Sequence, residues 1–418
     1  MGNKKIPKIR FNNSKIDWQQ VKFKNLLNSE EGIRRGPFGS ALKKELFVQN
    51  SEYVVYEQQN AIYDHFNTRY RISEEKYHEL KKFILLHGDF IMSGAGTIGK
   101  ISLVPEGIEK GVFNQALIRL RVNRNTDKEF FLQWMRSPEM QNKLTKANPA
   151  SAMVNLVPMS EVKEWEVIVP SLDEQSAIGS LLRTLDELLA SYKDNLANYQ
   201  SLKATMLSKM FPKAGQSVPE IRLDGFKGEW EINKLNKYLI VSKKKNTKQQ
   251  FGKEDVLSVS GEVGIVNQIQ FQGRSFAGVS VEMYSIVETG NIVYTKSPLK
   301  ANPYGIIKTN YGIPGIVSTL YAVYLPNENV FPGFVERYFE NDLRLNSYLK
   351  PLVNKGAKND MKVSDENALL GNVIFPKLEE QIAISDYFIN LDKFIQSHKD
   401  KISQLETLKK KLLQDMFI

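Results

Sequence analysis

Two stretches of the chain carry apolar residues at alternating spacings of four and three. Ile178, Leu182, Leu185, Leu189, Tyr192, Leu196 and Tyr199 form the first, and Ile384, Phe388, Leu391, Ile395, Ile402 and Leu405 form the second in phase, with the polar His398 at its fifth position. This is the seam of a coiled coil. It predicts two long amphipathic helices of about 36 residues, or roughly 54 Å each at 1.5 Å per residue. Toward the C-terminal end of each the phase slips, with Leu202, Met206 and Met210 matching Leu408, Leu412 and Met416, so a local change of winding is expected. One such stripe cannot be buried alone, and the other copy is its natural partner. A short linker, 212–220, follows the first helix, so antiparallel pairing needs the least connecting chain. Between these stretches the apolar runs are short. Strands are predicted at Tyr53–Tyr56, Asp89–Met92, Lys100–Val104 and Ala116–Val122, then again at Val256–Val259, Asn291–Tyr294, Gly315–Ser318 and Leu320–Tyr324. Helices are expected near Asp127–Met135, Pro138–Lys146 and Pro332–Asn341.

The two helical stretches are copies. Residues 167–211 align with 373–417 at a constant offset of 206, and 18 of the 45 positions are identical. A shorter echo precedes them: Pro7, Ile9, Arg10 and Trp18 match Pro219, Ile221, Arg222 and Trp230 at an offset of 212. The chain is therefore a doubled frame. It divides into a module at 1–166, a helix at 167–211, a second module at 212–372 and a second helix at 373–418. The expected architecture is two mixed α/β (α+β) modules joined by an antiparallel coiled coil, with pseudo-twofold internal symmetry. The middles share little sequence, although Gly88-Asp89-Phe90-Ile91 corresponds to Gly290-Asn291-Ile292-Val293.

Composition narrows the chemistry. There is no cysteine, which excludes disulfides and thiolate sites. The four histidines, His65, His78, His87 and His398, have no ligand spacing, so no metal site is expected. No apolar run approaches a membrane span, and the start MGNKKIPKIRF lacks a signal-peptide core, so a cytoplasmic location is expected. The net charge of +10 is unevenly placed. Residues 1–170 carry +7 and 212–376 carry +4, while the two helical stretches together carry −1. That distribution suits modules that meet a polyanion.

The first module offers Arg34 and Arg35 before a Gly-Pro-Phe-Gly-Ser loop ending at Ser40, then Lys43, Lys44, Lys100 and the amides of Asn114 and Gln115, which can read adenine edges. The second offers Lys243, Lys244, Arg274, Lys296, Lys300 and Lys308. Repetition of Glu174-Gln175 as Glu380-Gln381, and of Met210-Phe211 as Met416-Phe417, suggests a docking surface used twice. Gly94–Lys100 approximates a phosphate loop. Ile101 stands where the magnesium-binding hydroxyl belongs, and a strand ended by Pro105 follows instead of a helix, so a strand-turn-strand is expected. Asn302-Pro303-Tyr304 and Asn148-Pro149 lack the second proline of an amino-methyltransferase box and read as turns.

The frame resembles the specificity (S) subunit of type I restriction–modification systems. The resemblance rests on V-I-x-P-x-L-x-E-Q at 167–175 and 373–381, on Leu-Asp within each helix, on the L-x-x-M-F ends, and on G-P-F-G-S (36–40), G-D-F-I (88–91) and G-T-I-G-K (96–100). It covers essentially the whole chain. It implies a non-catalytic subunit with two target recognition domains, each reading half of a split, asymmetric sequence in double-stranded DNA, with the helices as spacer. It also implies two docked methyltransferase subunits and, in the full complex, restriction subunits. S-adenosylmethionine, ATP and magnesium would then belong to those partners and no cofactor to this chain. Gly36–Ser40 and Gly96–Lys100 have no evident partner in the second module, so the half-sites should differ. Two other readings remain at this point: a coiled-coil adaptor without a nucleic-acid role, and a nucleotide-binding enzyme using Gly94–Lys100.

Overall fold

The computed structural model describes residues 7–11, 17–94, 97–146, 158–355 and 361–417. Two helices of 38 residues, Leu172–Lys209 and Leu378–Asp415, dominate the chain. Two compact units emerge: Met1–Lys193 with Asp400–Ile418, and Asp194–Lys399. Each unit therefore holds half of each long helix, because the helices pack antiparallel. In the first unit Ile178, Leu182, Leu185 and Leu189 share a core with Leu405, Met416 and Phe417. In the second, Leu207, Met210 and Phe211 share one with Ile384 and Phe388. Along the seam read from the sequence, Ile178, Leu182, Leu185 and Leu189 in the first helix and Ile384, Phe388, Leu391, Ile395 and Leu405 in the second are buried, Tyr192, Leu196, Tyr199, His398 and Ile402 are half-buried, and the phase slip leaves Leu202 and Leu408 exposed.

Each unit begins by locking its lead to its helix start. In the first, strand Gln19–Lys22 runs antiparallel to Glu166–Val169. Arg10 reaches the start of the helix and donates from Nε and Nη2 to Glu174, at 2.9 and 2.7 Å. In the second, Glu231–Lys234 pairs with Asn372–Phe375, and Arg222 donates to Glu380 through both nitrogens at 2.7 Å. The offsets of 206 and 212 in the sequence are thus one repeated fork-to-fork ion pair.

The middles share a topology despite their divergence. A four-stranded sheet in the first unit has the order Ile33–Arg35, Leu117–Leu120, Phe90–Ser93, Ile101–Leu103. The second unit repeats it with Leu239–Val241, Tyr321–Pro326, Ile292–Thr295 and Ile307–Thr309. The same turn precedes Phe90–Ser93 and Ile292–Thr295. Gly88 and Gly290 take φ of +82° and +86°, which a side chain rarely adopts. The following Asp89 and Asn291 each accept a backbone N–H three residues upstream, at 2.9 Å. A second sheet in the first unit, also four-stranded, holds the one parallel ladder among the described strands, Tyr53–Tyr56 against Gly111–Phe113.

A short helix joins each sheet to the long helices. Lys128–Arg136 is capped by Asp127, whose carboxylate accepts from Phe130 N at 2.8 Å. It buries Phe130, Phe131 and Trp134, and Phe130 meets Phe417 at 5.6 Å between ring centres. Pro332–Phe339 does the same with Phe334 against Phe211 at 5.7 Å. Close approach needs a missing side chain in both units, but on opposite partners. A Cβ on Gly179 of the long helix would lie 2.6 Å from Phe130 N; at the equivalent Ser385 the long helix keeps its side chain and Gly333 of the short helix gives way.

Candidate nucleic-acid interface

Three turns adjoin at one edge of the first unit. The strand Ile33–Arg35 ends at Gly36, whose N–H donates to Leu117 O at 2.9 Å. A Cβ at Gly36 would lie 1.9 Å from the Asn114 carbonyl oxygen, so only glycine lets this loop run against 114–115. Phe38 then stands 90% exposed at the tip, with Leu42 buried beneath as an anchor. The middle turn is held by Leu117 N to Asn114 O at 3.1 Å and by Ala116 N to Asn114 Oδ1 at 3.1 Å. On its far side Gly94 N donates to Ala116 O at 2.7 Å, which sets the Gly94–Lys100 turn beside it.

That last turn joins two antiparallel strands, Phe90–Ser93 and Ile101–Leu103. The Ser93 hydroxyl binds Thr97 O and accepts from Lys100 N at 3.0 Å. No helix follows, so the phosphate-loop reading has no helix N-terminus to act with. Asn302-Pro303-Tyr304 is also a turn. Residues 95–96 and Asn148-Pro149 lie outside the described residues.

Charge on this edge is exposed rather than compensated. Behind it, Arg121 binds Asp89 at 2.6 and 2.8 Å and pairs with Glu31, and the buried Arg119 donates to the carbonyls of Ile84 and Glu31. Hydrogen bonding to Asp89 raises the Arg121 pKa, and burial lowers that of Arg119. Arg35, Lys43, Lys44 and Lys100 stand outside that network with Ser40 and Gln115, all exposed, while Arg34 and Asn114 are half-buried.

The second unit rebuilds the edge from different residues. Ser242 N donates to Val323 O at 2.8 Å, which places Ser242-Lys243 where Arg34-Arg35 stand. Ser318-Thr319-Leu320 replaces Asn114-Gln115-Ala116. Tyr321 N donates to Ser318 O at 3.0 Å and Leu320 N to Ser318 Oγ at 3.3 Å. Lys296 N donates to Leu320 O at 3.1 Å, as Gly94 does to Ala116. Thr295 N donates to Ile306 O and Ile306 N to Thr295 Oγ1, both at 2.9 Å, repeating the Ser93–Lys100 closure with a longer turn. The expectation that Gly96–Lys100 lacks a counterpart is thereby corrected: residues 296–305 fill its place, and inserted residues hid the match.

Not every lysine expected at the interface reaches solvent. Lys308 is buried and donates to Glu336 at 3.2 Å, compensating a carboxylate that would otherwise be buried alone. It is withdrawn as a phosphate contact. Lys296 is half-buried and bound to Asp365 at 2.8 Å. Lys244 is exposed and pairs with Glu288 at 3.0 Å; Lys243 and Lys300 are exposed. Arg274 is exposed on another segment, over the Phe276 ring at 4.6 Å.

The expected docking residues are also corrected. Glu174 and Glu380 are buried under Arg10 and Arg222. Gln175 Oε1 accepts from Asp127 N at 3.0 Å and its Nε2 donates to Pro170 O at 3.0 Å. Gln381 repeats this with Phe331 N and Pro376 O, both at 2.9 Å. Met210, Phe211, Met416 and Phe417 lie in the two cores. These eight positions recur because each unit needs the same internal locks, not because they face a partner. Other repeated apolar positions do face solvent: Leu172/Leu378, Leu188/Phe394 and Leu202/Leu408, each pair again 206 apart. Their recurrence off the seam was the available signal.

Known proteins share the sequence pattern and the fold. Residues 15–198 match the model of the type I restriction modification DNA specificity domain. The putative type I restriction enzyme MjaX specificity subunit of Methanocaldococcus jannaschii is 22% identical over 369 residues, covering 82% of this chain and 80% of its own. The crystal structure of a type I restriction-modification S subunit from M. genitalium aligns with a TM-score of 0.59 at 18% identity, over 99% of both chains.

Proposed function

We propose that this chain, which belongs to the specificity-subunit family of type I restriction–modification systems, reads a DNA target in two unlike halves, one with each unit. Its family role is recognition rather than catalysis. One observation carries the bipartite reading: both units present the same edge of adjoining turns on the same sheet, with different side chains at each matched position. Equal scaffolds with unequal tips suit two different half-sites. Exposed Arg35, Lys43, Lys44 and Lys100 on one edge, and Lys243 and Lys300 on the other, suit phosphates. Such contacts position the edge but carry no sequence information, and they make affinity fall steeply with salt.

The partners are two methyltransferase subunits on the long helices, joined by restriction subunits in the full complex. S-adenosylmethionine, ATP and magnesium belong to those subunits. Leu188 and Leu408 stand at one level of the helix pair in the first unit, fixed by the Asp186–Lys409 contact. Phe394 and Leu202 stand at the matching level in the second, fixed by Asp392–Lys203. Two equivalent apolar pairs suit two copies of one partner.

Exchange of residues 25–166 for another first module tests the reading. With the cognate methyltransferase co-expressed, methylome sequencing is expected to show one half of the motif replaced and the other half retained. Both halves changing together would contradict it.

A further inference from the structure

In each unit the middle turn has three positions, and two of them are consumed by the fold. The first caps its own turn: Asn114 Oδ1 accepts from Ala116 N, and Ser318 Oγ accepts from Leu320 N. The third gives its carbonyl to the neighbouring turn, through Gly94 N in one unit and Lys296 N in the other. The second position is exposed in both units, Gln115 and Thr319. Among the described residues neither side chain has a hydrogen-bond partner within the chain. The segments that adjoin each turn carry exposed cations, Arg35 and Lys100 in the first unit, Lys243 and Lys300 in the second. A polar side chain that the fold leaves unused, exposed at a turn whose neighbouring segments carry exposed cations, is available to reach base edges.

We infer that Gln115 and Thr319 are the equivalent base-reading positions of the two units. The inference rests on the DNA-reading function proposed above and names the residues through which it works. The two tips differ in chemistry. A glutamine amide offers a donor and an acceptor side by side, which fits adenine N6 and N7 in the major groove. Thr319 offers a hydroxyl and a methyl group, and the adjoining Leu320, 62% exposed, adds apolar surface. That pair fits the thymine methyl. Gln115 therefore sets an adenine in one half-site, and Thr319 with Leu320 sets a thymine in the other.

The test uses the complex of this chain with its methyltransferase. Methylome sequencing first gives the wild-type motif; if the wild-type complex methylates no defined sequence, the proposed function itself fails. Purified complexes carrying Gln115→Ala or Gln115→Thr, and separately Thr319→Ala or Thr319→Gln, then compete for duplexes substituted at single positions. Each substitution is expected to lower discrimination at one A·T position of one half-site by ~5- to 150-fold, leaving the other half and the gap unchanged. Unaltered discrimination at every position, loss in both halves from one substitution, or loss at a G·C position would overturn the inference. Both residues are exposed, so the four variants should assemble. A variant that does not assemble shows that the position is structural and counts against it.

Discussion

Asp186 of the first long helix pairs with Lys409 of the second, and the same contact returns as Asp392 with Lys203 at 2.7 Å. Aspartates and lysines are each 206 residues apart, so one antiparallel helix pair satisfies both bridges. The surroundings differ. Gln133 donates to Asp186 at 2.8 Å, whereas Asp392 also takes Arg337, which binds Glu340 as well; Lys203 closes the network at 2.6 Å from Glu340. The second cluster is the more buried, and it replaces a neutral amide with a guanidinium between two carboxylates.

Loss of one partner should therefore cost different amounts in the two clusters. Asp186→Asn breaks a part-exposed pair and should lower stability by ~1 kcal/mol or less. Arg337→Leu leaves Glu340 and Asp392 with one cation between them and should cost ~3 kcal/mol. Denaturant unfolding of the two variants checks this, and equal losses would show that the two clusters bear equal weight.

Acid should act on the same cluster. Burial alone would raise the Glu340 pKa, but Arg337 and Lys203 together hold it below its usual 4.5. Glu164 is brought down to about 2 by hydrogen bonds from Lys22 and Lys24. Groups with depressed folded pKa values contribute stability that is present above about pH 4.5 and disappears as pH falls through the folded values. In Arg337→Leu burial is opposed by Lys203 alone, so the acid-unfolding midpoint should move to higher pH. Circular dichroism against pH measures it, and an unmoved midpoint would refute the role given to Arg337.

The two terminal locks should respond asymmetrically to their own halves. Glu174 is almost fully buried, its side chain 1% exposed, while Arg10 is 17% exposed. Arg10→Ala strands a buried carboxylate and should cost ~3 kcal/mol. Glu174→Gln leaves a guanidinium that water can reach and should cost less. The order is expected again for Arg222→Ala over Glu380→Gln, and thermal unfolding would disprove it if the glutamine variants proved the weaker.

Deleting Asp194–Ala197 should test the helices as a ruler. Four residues shift one helix by roughly 6 Å and 40° against the other, so the Asp186–Lys409 and Asp392–Lys203 bridges cannot both form. Either the gap in the methylated motif changes or assembly is lost. An intact complex with an unchanged gap would end the ruler idea.

Docking should be separable between the two apolar pairs. Leu188→Glu with Leu408→Glu places charge on exposed positions, where stability changes stay within about 0.5 kcal/mol. Native mass spectrometry is expected to find one methyltransferase in place of two. Phe394→Glu with Leu202→Glu should remove the other. Retention of both partners in either variant would rule these positions out.

The repeat and the seam were legible because periodicity and identity are one-dimensional signals. Leu185 and Leu391 fall on the stripe by spacing alone, and the short linker at 212–220 was enough to select antiparallel packing. Burial of Glu174 and Gln175 was not legible. Their recurrence looked like a shared surface, and the Arg10 that covers Glu174 lies 164 residues away. Lys308 failed for the same reason, since its partner Glu336 stands on another element. The match of Gln115 with Thr319 was hidden differently. Hydrogen bonds define that turn, and backbone groups make them whatever side chains are attached, so no sequence identity is required.

Leu405, Met416 and Phe417 complete the core of the unit to which residues 17–193 belong, and Ile9 N–H donates to Asp415 O at 3.1 Å. During synthesis the part of the chain made first must therefore wait for the part made last. The intervening unit can close while the earlier one still exposes an unfinished apolar face on the ribosome. A stop codon a few residues early would damage the oldest part of the nascent polypeptide and spare the middle.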